Sequence, residues 1–179
     1  MNKIIMESMN SKPKIEYPYL PEGRTILYVP ENNEFMTMAK EYAKKYRSNL
    51  AQPGAAVVVK DGEIKGVGSI GNNPAHIDGC VRVKLNMPTG QGYDLCEGCG
   101  PKFHSEPSAI RDAKEKGKDT KDADLYLWGH WWCCKDCWDT MISSDIKNVY
   151  LMEGSDVLFN KNNPNNIIGK QFEQETLTK

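Results

Sequence analysis

The chain has no apolar run long enough to span a bilayer. Its longest, AAVVV at residues 55–59, falls far short of the ~20 residues that a spanning helix needs. Charge of one sign is also lacking. With 23 Lys and Arg against 24 Asp and Glu the formal charge is −1, so no basic field exists to hold a polyanion, and a nucleic-acid partner is not expected. No secretory signal is legible at the start: Glu7 stands where the apolar stretch would have to be, and no small-residue cleavage site follows. A cytoplasmic protein without membrane contact is the expectation. Six cysteines in 179 residues are too few for a disulfide scaffold, and a cytoplasmic location would keep them reduced. There is no internal repeat.

What is present suits one α/β domain. Pro13, Pro18, Pro21 and Pro30 break the segment 1–30 into an extended arm with one strand near 25–29. From Glu34 the positions Phe35, Met38, Ala39, Tyr42, Ala43 and Tyr46 recur at helical spacing, with Asn32 or Asn33 as cap. The β-branched run at 54–60, the Asp61-Gly62 dipeptide and residues 63–69 read as an antiparallel hairpin. Residues 71–103 hold nine Gly or Pro in 33 positions and three cysteines, a long loop that needs something to order it. Helices are then expected over 105–116 and 134–144, alternating with strands at 124–128 and 148–152, which makes the later strands parallel. The domain is placed at 31–160, three layers of α/β/α around a mixed sheet, with 1–30 as arm and 161–179 as a polar tail of low order.

Five of the six cysteines lie between residues 96 and 137, as Cys96-x-x-Cys99 and Cys133-Cys134-x-x-Cys137, with His104 and His130 among them. His104-Ser105-Glu106 opens one expected helix, and after 27 intervening residues Cys134-Lys135-Asp136-Cys137 opens the next. Spacing of i and i+3 turns both thiols to one side, and two helices side by side on a sheet bring their N-termini together. One imidazole and two thiolates fill three tetrahedral zinc positions and leave the fourth open for water. Helix N-termini favour the thiolates, and Glu106 is placed as a base that is not a ligand.

His-x-Glu followed by Pro-Cys-x-x-Cys is the signature of the zinc-dependent cytidine and deoxycytidylate deaminase superfamily. The chain resembles it in His104-Ser105-Glu106-Pro107-Ser108-Ala109-Ile110 and Cys133-Cys134-Lys135-Asp136-Cys137. The order of elements over about 34–153 is similar as well. Cys80, Arg82, Pro88, Thr89-Gly90, Tyr93 and Leu95-Cys96 before the histidine look most like deoxycytidylate deaminases. The resemblance implies a catalytic zinc on His104, Cys134 and Cys137, Glu106 as the catalytic proton shuttle, a nucleotide or nucleoside substrate and a homo-oligomer. The implied reaction is hydrolytic deamination of cytosine to uracil with release of ammonia. Cytidine, a guanine or pterin-like ring and an RNA base are the alternatives within the family. The resemblance also implies a second, structural zinc on His76, Cys80, Cys96 and Cys99, with free buried thiols as the other reading and Cys133 or His130 as further donors.

The chain departs from the family at three places. Cys133 replaces a proline, residues 97–103 lengthen the loop before His104, and the substrate asparagine has only Asn72 and Asn73 as candidates. Trp131 and Trp132, in the turn before the thiols, are candidates to wall the pocket, whereas Trp128 and Trp138 are expected in the core. A different class remains open. Cys96, Cys99, Cys134 and Cys137 also fit a closed four-thiolate zinc site of an interaction module, which would have no use for Glu106.

Overall fold

A computed structural model describes residues 15–47, 52–71, 79–87 and 92–173. In chain order the elements are β1 (Ile26–Val29), α1 (Glu34–Lys45), β2 (Ala55–Lys60), β3 (Glu63–Ser69), α2 (Val81–Lys84), α3 (Ser105–Glu115), β4 (Asp124–Trp128), α4 (Lys135–Ser143), β5 (Asn148–Met152) and α5 (Ser155–Leu158). The strands form one mixed sheet in the order β1-β5-β4-β2-β3. β2 runs antiparallel to both β3 and β4, while β4, β5 and β1 are parallel to one another.

Alternation along β2 sorts the core into two faces, because successive side chains of a strand point to opposite sides. Ala56 and Val58 pack with Ala109 and Ile110 of α3 and with Cys137, Trp138 and Met141 of α4. Ala55, Val57 and Val59 face the other way, onto Met36, Ala39 and Ala43 of α1. The result is the three-layer α/β/α arrangement that the element pattern predicts. Asn33 caps α1, its Oδ1 accepting from the backbone N–H groups of Phe35 and Met36 at 3.1 Å each.

The C-terminal stretch differs from the expectation. Its composition predicts a loose polar tail, but Ile167 and Phe172 pack on the α1 face of the core, and Phe172 stacks on Trp128 with centroids 5.3 Å apart. Two spaced apolar anchors suffice to dock it, and a composition average conceals them. The end of the N-terminal arm is likewise part of the sheet, since β1 pairs with β5.

The contact that positions the site is between α3 and β3. A Cβ built on Gly68 would fall 2.2 Å from the Ala109 nitrogen and 2.6 Å from the Ser105 carbonyl oxygen, and one on Gly66 would fall 2.2 Å from the Ala109 oxygen. The helix backbone therefore lies directly on the strand backbone. Asp112 of α3 also accepts from the Val67 N–H at 2.8 Å, satisfying a donor on the edge strand. Gly68→Ala is expected to lift the start of α3, destabilise the fold by about 2–3 kcal/mol and lower the Tm by roughly 5–10 °C. Thermal denaturation checks this, and an unchanged Tm would mean that the helix does not depend on the close approach.

Candidate metal centre

Three side chains converge where α3 and α4 begin. His104 is the N-cap of α3 and Cys134 the N-cap of α4, whose sulfur accepts from the Cys137 N–H at 3.4 Å. The expected helix over 134–144 thus starts one residue later, with Cys134 outside it as the cap. His104 Nδ1 lies 3.5 Å from Cys134 Sγ and 3.4 Å from Cys137 Sγ, and the two sulfurs are 3.2 Å apart. The edges of a tetrahedral zinc site with these donors are ~3.5–3.8 Å. The nitrogen–sulfur edges match, and the sulfur–sulfur edge needs to open by only about half an ångström. The donors are those that zinc takes, and the residues fit the ion.

Charge in this trio is already arranged for a cation. The hydrogen bond from Cys137 holds the Cys134 thiol down to about 6, against the cost of burial and with help from His104. Cys137 is correspondingly held up by its bond to Cys134 and by burial. Burial works against a charged His104, but the Cys134 thiolate and Glu106 outweigh it and raise the imidazole above its usual range. Glu106, in the first turn of α3, is only 4% exposed and lines the same cavity as His104 and Cys134.

A second trio stands beside the first. Cys80 Sγ lies 3.8 Å from Cys96 Sγ and 3.2 Å from Cys99 Sγ, all three are buried, and none is in a disulfide. This set too can hold a zinc ion. Burial pushes the Cys99 thiol up to about 12, with Arg82 opposing, whereas the N–H groups at the start of α2 overcome burial and lower Cys80. His76, the fourth donor expected for this group, and Asn72 and Asn73, the expected substrate asparagines, lie outside the described residues. The four thiols of the closed-site alternative do not meet. Cys96 and Cys99 gather with Cys80, while Cys134 and Cys137 gather with His104. The reason is tertiary, since the loop turns Cys96 and Cys99 toward α2 and away from the start of α4.

The two trios touch through one residue. His104 turns Nδ1 to its thiols, and Nε2 faces the Cys99 carbonyl oxygen at 3.3 Å. That carbonyl can only accept, so Nε2 carries the proton and Nδ1 is left as the donor to a metal.

A cavity of about 630 Å³ opens over the first trio. Trp131 and Trp132 line it, as do Tyr93, Arg82, His130 and Lys161, while Trp128 and Trp138 are core residues at 2% and 1% exposure. His130 packs on Gly54, where an added Cβ would fall 2.6 Å from the ring. Burial, and then the charge of His104, push its pKa down to about 4. Cys133, standing where the family signature has proline, is fully buried against Glu106, and burial and that carboxylate keep its thiol protonated. The sequence pattern assigns Arg82 and Tyr93 no role and does not single out Lys161. A basic residue in the polar stretch after Phe159 is the only local signal for it.

The chain matches the profile of the cytidine and deoxycytidylate deaminase zinc-binding region over residues 30–153. No curated protein matches it. Among solved structures it is similar to a diaminohydroxyphosphoribosylaminopyrimidine deaminase/5-amino-6-(5-phosphoribosylamino)uracil reductase from Thermotoga maritima, at 32% identity and TM-score 0.41 over 65% of this chain. It spans only 28% of that protein. Guanine deaminase from Bacillus subtilis follows at 20% identity and TM-score 0.42, over 82% of this chain and 78% of that one. The dCMP deaminase of cyanophage S-TIM5 matches at 18% identity and TM-score 0.43, over 71% and 87%. Among the described residues no helix is long and apolar enough to cross a membrane.

Cys134→Ala is expected to remove the zinc of the first trio, and Cys96→Ser with Cys99→Ser a separate equivalent, both read by elemental analysis. One zinc per chain in wild type, undiminished by Cys96→Ser with Cys99→Ser, would mean one site, not two. His130 stays neutral when folded but takes a proton near its ordinary value of about 6.5 when unfolded. No stability depends on it above that pH. Between about pH 6.5 and pH 4 the chain should lose about 1.4 kcal/mol per unit to this residue. Urea unfolding of wild type and His130→Gln across the window checks this, since the slope must be smaller in the variant.

Proposed function

The chain belongs to the cytidine and deoxycytidylate deaminase zinc-binding family, whose members are hydrolases acting on C–N bonds, and from that premise we propose that it deaminates the cytosine base of a deoxycytidylate-like nucleotide. Glu106 carries this reading. It is a buried carboxylate lining the cavity beside His104, Cys134 and Cys137, where a purely structural zinc would have no use for a base. The working unit is the expected domain of residues 31–160 together with β1 and the docked stretch through Phe172, and the reading includes a cytoplasmic homo-oligomer.

His104, Cys134 and Cys137 hold the zinc, which supplies the Lewis acidity that brings the ionisation of water toward neutral pH. Glu106 accepts the proton of the attacking water as its oxygen bonds to C4 of the ring, and passes that proton to N3. It then serves the leaving group: the C4–N bond breaks, the amine departs as ammonia with the second proton of the water, and N3 keeps the first. Cytosine and water give uracil and ammonia, with no redox change. Trp131 and Trp132 line the cavity with their ring planes 79° apart, and one of the two offers a flat face on which the base stacks. Cys133, protonated and packed on the Glu106 carboxylate, restrains it without competing for its proton. The second trio fixes the loop that carries the Cys99 carbonyl, and through it the orientation of His104.

Glu106→Gln keeps volume and hydrogen bonding but cannot accept the proton. Zinc content and fold should be unchanged, while ammonia release from deoxycytidylate falls by at least about 10³- to 10⁴-fold. Activity within a few-fold of wild type at matched zinc content would remove Glu106 from the mechanism.

A further inference from the structure

We propose that a second cavity, walled by Tyr19, Tyr28, Trp131 and Trp132 and flanked by Glu153 and Asp156, binds a small organic ammonium ion. The inference goes beyond the proposed function and does not rest on it.

The carboxyl ends of three parallel strands feed this cavity. β1 contributes Tyr28, β5 runs into Glu153, and the turn after β4 carries Trp131 and Trp132. Crevices beyond the carboxyl ends of parallel strands are where open α/β sheets take their ligands. The volume of about 600 Å³ lies within the range of roughly 300–1,000 Å³ of small-molecule sites. The wall is assembled before any ligand arrives. Tyr19 packs on the core shared by α3 and α4, Arg24 donates to the Ile146 carbonyl oxygen at 3.1 Å, and the Glu153 N–H donates to the Val29 carbonyl oxygen at 2.9 Å. Arm, β1 and β5 are thereby tied together. Pro18, Trp131 and Trp132 also line the first cavity and form a partition between the two, whereas Glu153 and Asp156 line only the second.

The lining selects the sign of the ligand's charge. Among the described residues no Lys, Arg or His lines this cavity, and its two carboxylates are exposed and take part in no ion pair. An anion entering here meets two like charges, and a cation meets two opposite ones. Aromatic faces carry negative potential and add to the attraction. Their arrangement narrows the class further. Trp131 and Trp132 stand at 79° with centroids 6.5 Å apart, so they bound a corner and not a parallel slot. A flat ring uses one face of such a corner. A rounded alkylammonium head touches both at once, and its methyl or methylene groups cover apolar surface while the charge faces the carboxylates. Inorganic cations lack that apolar shell and gain nothing from the rings beyond charge.

The test is calorimetric titration of the zinc-loaded full chain with choline, with neohexanol, its uncharged isostere that has carbon in place of nitrogen, with spermidine, and with a short peptide bearing trimethyllysine. Choline should bind about tenfold or more tighter than neohexanol, and the difference should shrink as salt is raised. Its affinity should fall by about fivefold or more in Glu153→Gln with Asp156→Asn, and by about two- to fivefold in Tyr28→Leu, each at an unchanged melting temperature. All three positions are exposed, and none belongs to the metal centre or the base wall. Equal affinities for choline and neohexanol, or no binding of either choline or spermidine at millimolar concentration, would overturn the site. Undiminished choline binding in either variant would place the ion elsewhere and overturn it as well. Peptide binding tighter than that of both free amines would overturn the assignment to a small free ion.

Discussion

At Gly66 and Gly68 the backbone of α3 rests on the backbone of β3 with no side chain between them, and the site is built outward from that contact. A helix normally stands off a sheet by the length of its packed side chains. Here the stand-off is removed at the first turns of α3, so His104 and Glu106 sink to the level of the strand ends. α4 packs beside α3 on the same face through Cys137, Trp138 and Met141. Its cap, Cys134, then meets His104 at 3.5 Å. Two helix N-termini aimed at one point concentrate partial positive charge there, which suits thiolates and a carboxylate and gives a metal ion negative donors to bind.

Glu106 and the two trios of donors share one electrostatic problem, and the fold spreads the solution over several elements. Packing thiols together and burying them opposes their ionisation, so in each trio one sulfur carries the charge more readily than its neighbours. Cys134 is the low member of the first set and Cys80 of the second. A metal ion relieves the remaining cost by replacing protons, which couples its binding to folding. The bond from His104 Nε2 to the Cys99 carbonyl links the two sets mechanically. Order in the thiol-rich loop is thereby transmitted to the orientation of a metal ligand.

The cavity shows how residues without chemistry of their own define what can enter. Gln52 donates to the carbonyls of Gly129 and Phe159 at 2.9 and 3.1 Å, tying the turn before Trp131 to the segment that leads into Lys161. The turn that carries the tryptophans and the segment after α5 are therefore braced against each other. Phe172 on Trp128 adds the C-terminal stretch to the same support.

Local rules of periodicity and capping made the elements legible. The Asn33 cap, the hairpin at Asp61-Gly62 and the alternation of helix and strand depend on neighbours within a few residues, and each stands where the sequence places it. The grouping of His104 with Cys134 and Cys137 was legible too, because ligands at helix starts need only the rule that consecutive crossover helices lie side by side. Spacing alone leaves Cys96-x-x-Cys99 and Cys134-x-x-Cys137 equivalent; the family resemblance put the first pair with Cys80 and the second with His104, and the course of the loop realises that grouping. The docking of Phe172 could not be read from the chain. Sequence determines contacts whose geometry one helix or one turn dictates. Contacts between segments distant along the chain, such as Phe172 on Trp128 of β4, are decided by the sheet they pack on, and no local pattern encodes that separation.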